Sequence, residues 1–150
     1  MTFACFCGAV SVTTAKRPDF VHACNCDLCR KAGAQWGYFD PAEVTVRGAT
    51  ATFRRHDKPE PGVDVHFCPA CSSTTHFRLT EAAVSQHGDV MMGVNAGLAN
   101  EAELAGIELR YPDGKNWSGE GAFGYVRASR ILGDGSCRAS DPSSSDRTRQ

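Results

Sequence analysis

The sequence predicts an all-β fold, and three observations point to it. Short segments in which apolar or β-branched residues alternate with polar ones recur along most of the 150 residues. Seven prolines and 15 glycines, which are turn residues, separate these segments. Helical patterns are confined to two brief stretches. Many short strands joined by turns are typical of a domain built from folded sheets.

The predicted elements follow one another with little spare chain between them. The strands are assigned to residues 9–13, 44–46, 51–53, 63–67, 74–79, 90–94 and 107–111. The segments 44–46 and 51–53 are expected to pair with each other around Gly48. One helix is predicted over residues 27–32, ended by Gly33, and a short capped helix over 100–104.

One domain, residues 1–132, is predicted to precede a polar tail over residues 133–150. Cys137 is the only apolar side chain of any size in that tail. A segment of this composition cannot bury enough surface to offset its ordering entropy, so the tail is predicted to be disordered. Cys137 has no neighbouring ligand residue and is assigned to neither of the metal sites inferred below.

Charge and hydropathy argue against several functional classes. The 16 Lys and Arg residues nearly balance the 17 Asp and Glu residues, which gives a formal net charge of −1. This balance disfavours nucleic acid or an anionic membrane as the partner. No apolar run approaches the roughly 20 residues of a membrane-spanning helix. The first residues lack the pattern of a signal peptide, so a cytoplasmic location is expected. The sequence does not indicate an oligomeric state.

Cysteine is the unusual component, with eight residues in the chain. In a reducing compartment this density indicates metal binding or catalysis rather than a disulfide framework. Seven of the eight fall into three tight clusters: Cys5 and Cys7; Cys24, Cys26 and Cys29; and Cys68 and Cys71.

The spacing favours two metal sites of different kinds. A C-x-C pair and a C-x-x-C pair each present two sulfurs to one metal ion, and two such pairs complete a closed tetrahedral site. We therefore assign Cys5, Cys7, Cys68 and Cys71 to a structural zinc. The remaining trio, Cys24, Cys26 and Cys29, would hold a second zinc with a vacant fourth position, which is the arrangement of a catalytic metal.

Three thiolates around a dication leave a centre of formal charge −1, which is a weak Lewis acid toward water. A soft substrate thiolate is the more natural fourth ligand, and a thiol held as thiolate is a nucleophile at neutral pH. Three alternatives stay open at this point. They are disulfides among the clusters, an iron–sulfur cluster, and a purely structural two-zinc module in which His22 or another residue fills the fourth position.

Taken together, the segments CFCGAV (5–10), CNCDLCRKAGA (24–34) and CPAC (68–71) resemble the glutathione-dependent formaldehyde-activating enzyme family, which includes centromere protein V. The resemblance spans roughly residues 3 to 126. It implies a β-tent fold of antiparallel sheets and the same division into a structural and a catalytic zinc. The implied activity is that of a carbon–sulfur lyase that forms or breaks S-(hydroxymethyl)glutathione, with glutathione as the thiol partner. Family members usually carry glycine after the last cysteine, in a turn that needs a left-handed residue, and Ser72 stands there.

Residues around the trio are candidates for substrate contacts. Arg30 and Lys31 could pair with the carboxylates of glutathione. His22, two residues before Cys24, could be a fourth ligand or a proton carrier. The aromatic residues that follow the trio, Trp36, Tyr38 and Phe39, could form the walls of its pocket, although a position in the core is the default for aromatic residues.

Overall fold

The computed structural model of the chain describes residues 1–119 and 121–133. Cys137 and the predicted tail beyond residue 133 lie outside the described residues. The strands, in chain order, are β1 (Thr2–Ala4), β2 (Ser11–Thr14), β3 (Phe20–His22), β4 (Trp36–Phe39), β5 (Val44–Arg47), β6 (Ala51–Arg54), β7 (Val63–Phe67), β8 (Thr74–Leu79), β9 (Met92–Asn95), β10 (Glu108–Arg110) and β11 (Arg130–Ile131). The α-helices are α1 (Asp27–Ala32) and α2 (Glu81–His87). The all-β prediction is confirmed.

The strands form two sheets. A three-stranded sheet has the order β1-β2-β5, and an eight-stranded sheet has the order β11-β10-β3-β4-β9-β8-β7-β6. Strand pairing is antiparallel except between β3 and β10, where Val21 lies opposite Leu109 in a parallel register. The expected antiparallel pairing thus holds for the described strands except at this pair. More than 80 residues separate the two strands, so no hairpin restricts their relative direction.

The predicted pairing of the two segments around Gly48 is also wrong. β5 pairs with β2, whereas β6 pairs with β7 in the other sheet. Val44 and Val46 pack against the core between the sheets, and this burial favours the pairing of β5 with the small sheet. The chain passes from the small sheet to the large one at Gly48, whose φ is 94°. Only glycine fits there, because a Cβ would lie 2.0 Å from the carbonyl oxygen of Ala9.

Two apolar clusters hold the sheets and α1 together. The first joins the two sheets and consists of Phe3, Val12, Phe39 and Val94, each no more than 3% exposed. The second consists of Ala34, Trp36, Val65 and Phe77 and packs against Leu28 and Ala32 of α1. Each fully buried side chain of this size contributes about 1.5–3 kcal/mol. The second cluster therefore fixes α1, and with it the cysteine trio, on the large sheet.

The helical predictions are mostly correct. α1 begins after Cys26 and ends at Gly33, whose φ is 61°, as the sequence predicts. The predicted helix near residue 100 is a 3₁₀-helix, Glu101–Leu104, capped by the Asn100 side chain. The sequence analysis missed α2, which is capped by the Thr80 hydroxyl accepting from Ala83 N–H. Within the described residues no helix has both the length and the apolar character needed to cross a membrane.

Candidate metal centres

Cys5, Cys7, Cys68 and Cys71, here called the tetrad, bring four sulfurs together within 4.8 Å of one another. The Sγ–Sγ distance is 3.6 Å between Cys5 and Cys7 and 3.7 Å between Cys7 and Cys68. A tetrahedral zinc with Zn–S bonds of about 2.3 Å has S–S edges of about 3.8 Å. The four sulfurs therefore already have the spacing of a tetrahedral metal site. All seven clustered cysteines are free thiols, so none of them is in a disulfide.

Two tight turns build the tetrad. The turn between β1 and β2 closes through Gly8 N–H, which donates to the carbonyl of Cys5, and the turn between β7 and β8 closes through Ser72 N–H on the carbonyl of Cys68. Gly8 has a φ of 77°. Ser72 adopts a left-handed conformation with a φ of 59°, and a non-glycine residue there costs about 1 kcal/mol.

Ser73 links the two turns of the tetrad. Its hydroxyl oxygen accepts from Phe6 N–H at 3.2 Å and lies 3.2 Å from Cys71 Sγ. The hydrogen bond from this hydroxyl lowers the pKa of Cys71 to about 5. Because metals bind the thiolate form, this contact prepares Cys71 to be a ligand at neutral pH.

Cys24, Cys26 and Cys29, here called the trio, lie at the start of α1 and are half-buried. Their sulfurs also lie within 4.8 Å of one another. In the part of the chain that the structure describes, no fourth Cys, His, Asp or Glu joins this group. The two sites thus differ in number of ligands: the tetrad has four sulfurs, whereas the trio has three.

Each sulfur of the trio accepts one N–H donor. The backbone N–H of Cys26 donates to Cys24 Sγ at 3.4 Å, and that of Cys29 donates to Cys26 Sγ at 3.5 Å. The indole Nε1–H of Trp36 donates to Cys29 Sγ at 3.2 Å. Hydrogen bonds from N–H groups stabilise a thiolate more than a thiol.

The thiols of the trio also shift the pKa values of one another. Hydrogen bonds from the Cys24 and Cys29 thiols lower the pKa of Cys26 to about 2. The same contacts raise the pKa of Cys24, chiefly through Cys26, and that of Cys29, chiefly through Cys24. Within the trio these contacts favour the thiolate form at Cys26 and the thiol form at Cys24 and Cys29. A bound dication would replace the two remaining protons.

A glycine that the sequence analysis missed lies against the trio. A Cβ on Gly114 would lie 2.4 Å from Cys24 Sγ. The loop that carries Gly114 is tied to the trio segment by Asn25, whose side chain donates to Asp113 at 2.7 Å and accepts from Lys115 N–H at 2.9 Å. Only a residue without a side chain fits this close approach to the sulfur.

His22 does not join the ligands of the trio. It is 94% buried, and its Nδ1 lies 3.1 Å from the Tyr38 hydroxyl. Its Nε2 is buried without a hydrogen-bond partner in the described structure. Burial, followed by the charge of Arg110, lowers the pKa of His22 to about 4. The imidazole is therefore neutral near pH 7.

The aromatic residues that follow the trio divide between the two faces of β4. Trp36 contacts Cys29, as described above. Tyr38 lies on the same face, and burial and the Cys29 charge raise the pKa of its hydroxyl. Phe39 lies on the other face, in the core with Phe3 and Val12, so it takes the core position that was the default expectation and not a place in the pocket wall. Alternation along a strand explains the division.

The two basic residues after the trio have different surroundings. Arg30 is exposed and lies 3.6 Å from Asp27. Lys31 lines a cavity of about 500 Å³ beside α1. Arg55 lines the same cavity, and its guanidinium makes a two-pronged ion pair with Asp57. The sequence analysis missed Arg55, since nothing in the polar stretch around it indicates a site.

The fold and the two centres define a cysteine-rich, all-β protein with two groups of thiols that could hold metal ions. The chain belongs to the glutathione-dependent formaldehyde-activating enzyme family, whose sequence model matches residues 1–110. The comparison with curated proteins finds no match. The chain is similar in structure to a Rhodobacter sphaeroides protein of known crystal structure, with a TM-score of 0.53, 23% identity, and coverage of 71% of this chain and 97% of that one. This likeness concerns the fold alone.

Proposed function

We propose that the chain is a zinc-dependent carbon–sulfur lyase that forms or breaks S-(hydroxymethyl)glutathione. The observation that carries the proposal is the trio: three sulfurs within 4.8 Å of one another and, among the described residues, no fourth ligand. Membership of a formaldehyde-activating family supports glutathione as the thiol. Cys24, Cys26 and Cys29 are proposed as the catalytic ligands, and the tetrad as the structural site.

The donor sets fit zinc. Four thiolates at the edge lengths of a tetrahedron form a structural zinc site, and three protein ligands with a free position form a catalytic one. Thiolates select soft or borderline metals over magnesium or calcium. A zinc ion bound at the trio would supply a positive centre that favours the thiolate form of a substrate thiol.

The residues of the chain would hold the three cysteines ready for that role. The N–H groups of Cys26, Cys29 and Trp36 stabilise the negative sulfurs and fix their directions. Gly114 leaves room beside Cys24. Because the Trp36 indole is buried in the apolar cluster that holds α1, it would also keep bulk water from that side of the trio.

The proposed reaction is the addition of a thiol to formaldehyde. The thiol loses its proton, its sulfur forms a bond to the carbonyl carbon, and the carbonyl oxygen takes up a proton to become a hydroxyl. In the reverse direction the hydroxyl loses its proton, the C–S bond breaks and the thiolate leaves. We assign the proton transfer to water, because His22 is buried and bonded to Tyr38.

Exchange spectroscopy by NMR tests the proposal directly. In a mixture of glutathione and formaldehyde, the zinc-loaded protein is expected to increase the rate of exchange between glutathione and S-(hydroxymethyl)glutathione. The Cys26→Ser variant is expected to lose this increase and to retain the fold. An exchange rate no faster with the wild-type protein than with buffer would refute the proposal, and a non-enzymatic two-zinc module would then be the better description.

A further inference from the structure

His22, Trp36 and Tyr38 lie on one face of the large sheet, and this face contacts the trio. His22 is directly opposite Trp36 in the register of β3 and β4, and cross-strand partners present their side chains to the same face. Tyr38 follows Trp36 by two residues on β4 and therefore shares that face. Because the Trp36 indole donates to Cys29 Sγ, the face is in direct contact with a sulfur of the trio.

One set of contacts places Tyr38 next to Cys29. Both residues pack against the apolar cluster that holds α1 on the sheet. Within that cluster the rings of Trp36 and Tyr38 lie 5.0 Å and 6.2 Å from the ring of Phe77. Tyr38 is therefore the next aromatic residue along β4 from the indole that reaches the sulfur.

A second set of contacts places His22 next to Cys24. The Phe123 ring lies 5.9 Å from the His22 ring. The same Phe123 ring lies 3.9 Å from the position of a Cβ on Gly114, and that position is 2.4 Å from Cys24 Sγ. The hydrogen-bonded pair of His22 and Tyr38 thus lies between the contacts that lead to Cys24 and those that lead to Cys29.

The hydrogen bond between His22 and Tyr38 leaves the phenol proton free. Among the described residues, the only hydrogen-bond partner of the Tyr38 hydroxyl is Nδ1 of His22, at 3.1 Å. The neutral imidazole carries one proton, and its Nε2 is buried without a partner in the described part of the chain. A buried N–H without an acceptor is rarer than a buried acceptor without a donor, which assigns the proton to Nδ1. Nδ1–H then donates to the Tyr38 oxygen, and the Tyr38 O–H can donate to another molecule.

We propose that Tyr38 is a catalytic residue of the lyase, whose hydroxyl, oriented by His22, donates a hydrogen bond to the carbonyl oxygen of the aldehyde. The inference rests on the proposed function. As the thiolate sulfur forms its bond to the carbonyl carbon, the π electron pair moves to the oxygen, and the hydrogen bond stabilises the charge that develops there. The proton that completes the new hydroxyl group comes from water. In the reverse direction the hydroxyl loses its proton to water as the C–S bond breaks.

The charge of the trio favours an uncharged donor at this place. Three thiolates around a dication carry a formal charge of −1, which opposes a second negative charge on a nearby oxygen. Burial and, after it, the charges of Cys29, Cys24 and Cys26 raise the pKa of the Tyr38 hydroxyl, so it retains its proton at neutral pH. An O–H donor held in place in this way stabilises the oxyanion without a change in its own charge.

NMR of the tyrosine Cζ atoms tests the contact in the zinc-loaded wild-type protein. The chain has three tyrosines, so a ¹³Cζ-labelled sample gives three signals, and Tyr38→Phe identifies the signal of Tyr38. Glutathione and formaldehyde together are expected to shift this signal from its position with glutathione alone, while the signals of Tyr111 and Tyr125 stay unchanged. A Tyr38 signal that formaldehyde does not move would overturn the assignment. So would a ¹⁵N spectrum with the His22 proton on Nε2.

Kinetics of the Tyr38→Phe variant test the catalytic role. The variant is expected to slow glutathione–formaldehyde exchange at saturating substrates about a hundredfold. Its zinc content and its affinity for glutathione, measured from the absorption of the cobalt-substituted protein, should equal those of the wild type. Tyr125→Phe is the matched control and should keep the wild-type rate, because the Tyr125 ring also contacts His22, at 6.4 Å, but is exposed. Loss of zinc or of glutathione affinity in Tyr38→Phe would indicate a structural role and overturn the proposal.

The outcomes separate this inference from the proposed function. An active wild-type protein whose exchange rate is unchanged by Tyr38→Phe would overturn the role of Tyr38 and leave the lyase intact. A wild-type protein that does not accelerate exchange would refute the lyase and, with it, this inference.

Discussion

The tetrad and the trio are both built from cysteine side chains, but these come from different arrangements in the chain. The tetrad takes its sulfurs from two turns about 60 residues apart in the chain, and Cys5 and Cys68 are 3% and 0% exposed. The trio takes all three from one segment of six residues, and each is half-buried. A metal on the tetrad joins distant parts of the fold, whereas a metal on the trio joins only neighbours. This difference in the origin of the ligands is one reason why we propose a structural role for the tetrad and a catalytic role for the trio.

The largest expected effect comes from breaking the tetrad. Cys71→Ser removes one thiolate from a site that closes a long loop, and structural zinc contributes about 10 kcal/mol or more to folding. This contribution is about as large as the whole unfolding free energy of a typical domain, which is about 5–15 kcal/mol. We expect the variant to unfold or aggregate, as measured by circular dichroism and zinc content. A cooperative thermal transition near that of the wild type would show that the tetrad is not needed for the fold.

The corresponding substitution in the trio, Cys26→Ser, tests whether the two centres differ in their effect on folding. Cys26→Ser is expected to retain one zinc per chain and a folded domain, because the trio connects no distant segments. Its activity in glutathione–formaldehyde exchange should fall to the background rate. Zinc quantification and thermal unfolding check both points. Equal loss of fold in Cys26→Ser and Cys71→Ser would contradict the division between the two centres.

A smaller change disturbs the trio without touching a sulfur. Gly114→Ala would place its Cβ 2.4 Å from Cys24 Sγ, so the loop or the cysteine must move. We expect zinc at the trio to bind at least tenfold more weakly while zinc at the tetrad is unaffected. Gly124→Ala is the matched control, because a Cβ there meets nothing within 4 Å. Similar zinc affinities in the two variants would mean that the Gly114 contact does not constrain the trio.

The smallest effect concerns a buried histidine away from both centres. His76 is 2% exposed and stacks on His66 at 4.3 Å, and burial lowers its pKa from 6.5 to about 3. Between these values the unfolded chain binds a proton that the folded protein does not, so stability falls as the pH falls below 6.5. From pH 7 to 5.5 the loss is roughly 1 kcal/mol.

His76→Gln removes that titration and should make the pH dependence of the unfolding free energy shallower over the same range. Acid also releases metal from thiolates, but the wild type and the variant share that effect, so the difference between their slopes isolates His76. Parallel slopes from denaturant unfolding at pH 7 and 5.5 would contradict the assignment.

Local features of the site were predictable from the sequence, and distant contacts were not. The spacing within each cysteine cluster, and Gly33 after the trio, determine geometry over a few residues, so the grouping of sulfurs and α1 follow from them. Gly114 approaches the trio, and Arg55 lines the cavity beside α1, from loops that are brought near only by the folded sheets. A glycine or arginine in a polar loop carries no sign of such a neighbour.

The same limit explains the errors in the fold. Alternating segments identified most strands, but the partner of each strand depends on which apolar faces meet in the core. β5 therefore joined β2 rather than β6, and β10 ran parallel to β3. The helix α2 was missed because its few apolar residues form no clear stripe, although Thr80 supplied a cap.

Cobalt(II) substitution tests the open position of the trio most directly. In the wild-type protein with two cobalt ions per chain, we expect glutathione to change the d–d absorption of one ion, saturating at one glutathione per chain. In Cys26→Ser, with one cobalt at the tetrad, glutathione should leave the spectrum unchanged. A wild-type spectrum that glutathione does not alter, or an equal change in the variant, would contradict an open metal centre at Cys24, Cys26 and Cys29.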